Sequence, residues 1–136
     1  MRKKLMVLFA VFLFVVAVIA VTQALLVSSQ NSKAKDSANS FVSFVLAGNA
    51  DSSYKLFGTK AQSDTSKSDW QDKVARLSLF FTARQPTFQS LSNNGKYSLV
   101  NYKIEGNDGT YQLNVVLAKE TGGWKVQSFT SERLPS

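Results

Sequence analysis

The chain has 136 residues, a formal net charge of +7, no cysteine and no histidine. Without those two residue types it can form no disulfide and has no catalytic thiolate and no triad base, and most zinc sites are excluded. Arg2, Lys3 and Lys4 account for three of the sixteen basic side chains. The thirteen from Lys33 onward face nine acidic ones and are scattered, so the concentrated stripe of a nucleic-acid reader is missing and no nucleic-acid partner is expected.

The first element is the apolar stretch Leu5–Val27, which has no polar residue from Leu5 to Val21. As a helix it would rise roughly 35 Å, against a hydrocarbon core of about 30 Å. A cleavable signal has a shorter apolar region followed by small residues. The sites ending at Ala24 and Ser29 are poor matches to that pattern. Residues 1–27 therefore read as an uncleaved single-pass anchor in the lipid bilayer. Arg2, Lys3 and Lys4 keep its N-terminus cytoplasmic and place the rest in the periplasm or exterior. The absence of an Asn-x-Ser/Thr sequon fits a bacterial source.

Residues 28–32 are a polar linker that can either extend or break the preceding helix, and residues 33–136 form one domain. Lys33–Gly48 is expected as an amphipathic helix, with Ala34, Ala38, Phe41 and Val45 on one face, Val42 and Leu46 widening it, and Lys35, Asp36 and Asn39 off it. Gly48 stops it. Asp51–Phe57 is a short second helix capped by Asp51 or Ser52, and Thr59–Thr65 is expected to loop out. Ser66–Ala83 is the third helix. Ser66 and Asp69 resemble a capping box, and Trp70, Val74, Leu77 and Phe81 repeat at helical spacing. Gln85-Pro86 closes it.

The period then changes to two. Strands are expected at Thr87–Leu91, Lys96–Glu105, Thr110–Lys119 and Trp124–Glu132, with turns at Ser92–Gly95, Gly106–Gly109 and Glu120–Gly123. Val100, Tyr102 and Ile104 share one face of the second strand, with Tyr97 and Leu99 opposite. Trp124 and Val126 share one face of the fourth, with Phe129 opposite. The fold class is α+β: a transmembrane helix, then three helices packed on a curved four-stranded antiparallel sheet.

Three stretches carry a family resemblance: Ala38–Phe57 with its closing Leu-Phe pair, Trp70 at the head of the third helix, and Gly122-Gly123-Trp124-Lys125-Val126. Over Lys33–Glu132 the chain resembles the nuclear transport factor 2-like superfamily, the cone-shaped cystatin-like roll, in the form of a small bacterial membrane-anchored member. An assembly-factor subunit of type IV secretion systems has a similar layout. The resemblance implies a cone that in enzymes such as ketosteroid isomerase holds an Asp base with Tyr and protonated Asp donors. Such carboxylates need an apolar pocket, whereas Glu105, Asp108, Glu120 and Glu132 fall at strand ends or turns.

No catalytic, metal or cofactor residue is therefore assigned. Asp51, Asp64, Asp69 and Asp72 fit no calcium loop, and the serines lack a nucleophile elbow. Tyr97, Tyr102, Tyr111 and Trp124 form the possible ligand or partner face. The leading expectation is a membrane-anchored binding or assembly module for a protein partner or small ligand. The alternative is an isomerase-like enzyme or small-molecule sink, which needs an open cavity of several hundred Å³ in the cone. A pilin-like subunit is remote, because no Gly precedes the apolar run and no Glu follows soon after.

Overall fold

The computed structural model describes residues 29–82 and 85–136. Residues 1–28, which hold the expected anchor, and Ala83, the expected last residue of the third helix, lie outside that set. No helix among the described residues is long and apolar enough to cross a membrane.

Residues 29–46 are helical (α1), so residues 29–32 of the polar stretch run directly into the expected amphipathic helix. Its buried face is Ala34, Ala38, Phe41, Val42, Val45 and Leu46, the stripe that the apolar spacing demands. The helix ends in a Schellman motif. Gly48 has φ +77°, the Asn49 N–H donates to the Phe44 carbonyl at 2.8 Å, and the Gly48 N–H donates to Val45 at 3.1 Å.

Helix α2 spans Ala50–Lys55. Its cap is Asn49 rather than Asp51 or Ser52: Asn49 Oδ1 accepts from the Ser52 N–H at 3.1 Å. The same residue closes one helix and opens the next, which leaves Asp51 free to sit in the first turn.

Thr59–Asp64, expected as a loop, is a short helix, α3. Six residues do not hold a helix by propensity, so tertiary contacts must. The buried Ala61 docks it, and the Tyr54 hydroxyl donates to the Thr65 carbonyl at 2.9 Å.

Helix α4, Lys67–Phe80, starts at Ser66, whose hydroxyl accepts from the Asp69 N–H at 3.1 Å. It stops earlier than Gln85-Pro86 would require. Phe81 turns to extended backbone, bridges Gly106 and buries its ring, and the Thr82 N–H donates to the Glu105 carbonyl.

Strands β1 (Thr87–Asn93), β2 (Tyr97–Gly106), β3 (Gly109–Glu120) and β4 (Gly123–Arg133) form one antiparallel sheet in sequence order. One face is apolar: Val100, Tyr102 and Ile104 on β2, Leu113, Val115 and Leu117 on β3, and Trp124 and Val126 on β4. Phe129 corrects the simple alternation. The β3–β4 register shifts between Val116 and Leu117, because β4 carries an extra residue, Gln127, between Val126 and Ser128. That bulge reverses the parity and turns Phe129 inward, where it is 8% exposed. A second irregularity at Gln89 lets both Phe88 and Leu91 stand opposite buried partners, Tyr102 and Val100.

Phe41, Phe57, Trp70 and Phe129 bring α1, the segment after α2, α4 and β4 together. Phe57 and Trp70 lie 4.7 Å apart, Phe41 and Trp70 5.7 Å, and Phe41 and Phe129 5.4 Å. The buried indole N–H of Trp70 donates to Ser53 Oγ at 2.8 Å, and the Ser53 hydroxyl donates in turn to the Ala50 carbonyl at 2.9 Å. The segment after α2 also clips the free side of β4: the Gly58 N–H donates to Val126, and the Val126 N–H to Leu56.

Two substitutions test this packing. Phe129→Ala should lower the unfolding free energy by about 3–5 kcal/mol in a denaturant titration, whereas an outward ring would cost no more than about 0.5. Ser53→Ala should cost about 1–3 kcal/mol, and clearly less in a Trp70→Phe background that has no indole donor to strand. Equal costs in the two backgrounds would refute the relay.

Candidate functional site

The space between helices and sheet, where an isomerase-like cavity would lie, is occupied by Phe41, Phe57, Trp70 and Phe129. Two clefts among the described residues lie at the flanks. Beside α3 a cleft of about 250 Å³ has Phe57, Trp70 and Phe129 as its floor and Asp64, Lys73 and Gln127 among its polar walls. On the other flank a cleft of about 350 Å³ lies between α1 and the β1–β2 edge.

The larger cleft is built from residues four apart on α1. Lys35, Asn39 and Ser43 line it together with Val42, because i, i+4 and i+8 run along one side of a helix. Gln85 and Pro86, just before β1, form a second wall, and Phe88 and Tyr102 the third. The Lys35 ammonium lies 4.0 Å from the centre of the Phe88 ring, and that ring meets Tyr102 edge-on at 6.2 Å. The Tyr102 hydroxyl donates to Asn39 Oδ1. Burial pushes the Tyr102 phenol up to about 12, because the phenolate would lose its hydration.

The four residues expected to form a ligand or partner face do not gather at one place. Tyr102 lines the larger cleft. Tyr97 is 46% exposed on the opposite face of β2, beside a shallow depression with Ser92, Asn94 and Leu99. Tyr111 packs its ring on Phe80 and Phe81, while its hydroxyl donates to Asp108 at 2.7 Å, a bond that raises its pKa. Trp124 is 4% exposed in the core. The reason is non-local: Tyr102 and Tyr97 stand on opposite sides of one strand, and Tyr111, which pairs with Ile104 near Tyr102, is taken up by Phe80 and Phe81.

The carboxylates are placed by surface chemistry. Asp51 pairs with Lys67 at 3.2 Å and accepts from Gln71, tying α2 to α4. The Lys67 hydrogen bond, then the Gln71 bond and the Lys67 charge, hold its pKa below the usual range. Glu105 accepts from Thr110, Asp108 from Tyr111, and Glu120 from the Thr59 N–H. Among the described residues no three metal-ligating side chains converge.

The sequence reading missed Lys35, Asn39 and Ser43 as site residues. Lys35 and Asn39 were placed off the apolar stripe, and Ser43 was not singled out. Their four-residue spacing was the available signal, but Phe88 and Tyr102 enter only through tertiary structure.

Tyr102 gives the site a pH signature. Its raised pKa contributes stability that is fully present below the free-tyrosine value of about 10 and is lost as the pH rises through about 12. Absorbance titration should show a tyrosine ionisation near pH 12 that disappears in Tyr102→Phe. A late step that persisted in that variant would assign it to another ring.

No protein-family model matches the chain. No curated protein sequence matches it. Two solved structures are similar in fold. A DUF4783 family protein from Bacteroides ovatus aligns over 71% of this chain and 94% of its own, at 14% identity and a TM-score of 0.52. A provisionally assigned dehydratase from the NTF2-like family of Streptomyces avermitilis aligns over 80% of this chain and 99% of its own, at 11% identity and a TM-score of 0.62. The described domain therefore has the nuclear transport factor 2-like fold: four helices and one four-stranded antiparallel sheet.

Proposed function

We propose that the protein is a single-pass, membrane-anchored binding module. Residues 5–27 hold it at the inner membrane, and its domain stands in the periplasm or exterior. The anchor rests on the apolar sequence of that stretch and on Arg2, Lys3 and Lys4 before it. The choice of binding over catalysis rests on one observation: Phe41, Phe57, Trp70 and Phe129 pack together between helices and sheet, and the clefts among the described residues lie at the flanks. An isomerase-like mechanism needs a carboxylate enclosed in apolar surroundings. Glu105, Asp108 and Glu132 instead stand exposed at strand ends or turns. The dehydratase assignment of the Streptomyces structure stays with that protein. The faces we assign to ligand or partner are the cleft at Tyr102 and the outer sheet surface at Tyr97.

Membranes washed with alkaline carbonate should retain the full chain, and protease added to spheroplasts should digest its domain. Recovery of the intact chain in the soluble cytosol would overturn the placement. Crosslinking in native membranes should trap a stable partner whose yield falls in Tyr97→Ser, or native mass spectrometry should show a retained small molecule. Finding neither would overturn the binding assignment.

A further inference from the structure

The cleft between α1 and the β1–β2 edge has an asymmetric chemistry. Among the described residues that line it, Lys35 is the one charged side chain and there is no carboxylate. Among the described residues Lys35 has no ion pair, and its contact is the Phe88 ring. Asn39 uses its carbonyl oxygen to accept from Tyr102, so its amide nitrogen, with two N–H donors, is left for the cleft. The Ser43 hydroxyl adds a third donor type on the same helix side. Across from α1 stand Gln85, Pro86 and Phe88, and Val42 adds apolar surface beside the donors on α1 itself. At about 350 Å³ the space lies at the small end of ligand sites.

We propose that this cleft binds a small organic monocarboxylate, its carboxylate on Lys35 and Asn39 and its apolar body against Pro86 and Phe88. The donors gathered along one side of α1 select a ligand that presents acceptors to them, and Lys35, the cation among the described lining residues, selects a negative charge there. The ring under Lys35 holds the ammonium at the apolar wall, so the charge and the flat part of the ligand are recognised side by side. Tyr102 is a positioning residue: its bond fixes which end of the Asn39 amide faces the ligand. The inference deepens the binding-module reading and depends on it, but it needs neither the membrane placement nor a protein partner.

The test is calorimetric titration of the full chain in detergent solution with benzoate, using benzamide as the neutral isostere. Benzoate should saturate one site, and benzamide should bind roughly tenfold more weakly or worse. Lys35→Gln should weaken benzoate by roughly tenfold, while Lys67→Gln, which removes an equal charge beside α2, should leave it unchanged. Asn39→Asp keeps an acceptor for Tyr102 but places a negative charge in the cleft. It should abolish benzoate binding. Equal binding of benzoate and benzamide, equal losses in the two lysine variants, or no saturable heat up to about 10 mM benzoate would each overturn the proposal. Membrane retention and partner crosslinking would stand through any of those results.

Discussion

The contact between Trp70 and its three phenylalanine neighbours decides what this domain can be. A tryptophan near the start of a helix brings a large apolar surface and one N–H that must be satisfied once buried. Ser53 accepts that N–H and relays to a helix carbonyl, so the indole lies in the core at no unpaired cost. With the indole fixed, Phe41, Phe57 and Phe129 pack on it from a second helix, a loop and a strand. A roll of this kind can close around a ligand or around its own side chains. Here four rings occupy the middle, and chemistry is displaced to the rim.

The sheet reaches that arrangement by breaking its own regularity. An unbulged β4 would point Phe129 to solvent and withdraw a quarter of the aromatic cluster. The added Gln127 restores it and increases local twist. The two edges are treated differently. The segment after α2 bonds to Val126 and so occupies the free side of β4 there. On β1 the irregularity at Gln89 interrupts the row of edge groups, a common defence against unwanted strand pairing, and nothing among the described residues pairs beyond it. The larger cleft lies beside this open edge, lined by Phe88.

Much of this was legible locally. The α1 stripe, the Gly48 stop, the Ser66 cap and all four strands follow from spacing and turn residues, with strand ends within two residues of expectation. What sequence could not supply was set by distant partners. Helix α3 exists because Tyr54 and the core hold Ala61 and Thr65, not because its residues favour a helix. Helix α4 stops early because Phe81 has a bridge to Gly106 to make. The inward turn of Phe129 depends on one extra residue that no alternation count reveals. The cleft is the extreme case, since Asn39 and Tyr102 are 63 residues apart.

The pairing of Asn39 with Tyr102 also settles how the cleft behaves across pH. A phenol at the protein surface loses its proton near pH 10, and a phenolate could no longer donate to Asn39. Burial keeps Tyr102 neutral up to about 12, so the donation persists across the physiological pH range. The amide is then held in one orientation by a group that does not titrate, next to a lysine with no ion-pair partner among the described residues. With no histidine in the chain, no other side chain changes charge between about pH 6 and 8 unless its pKa is strongly displaced. Recognition at this cleft should depend on the ionisation of the ligand itself: a carboxylic acid is held above its own pKa and released below it.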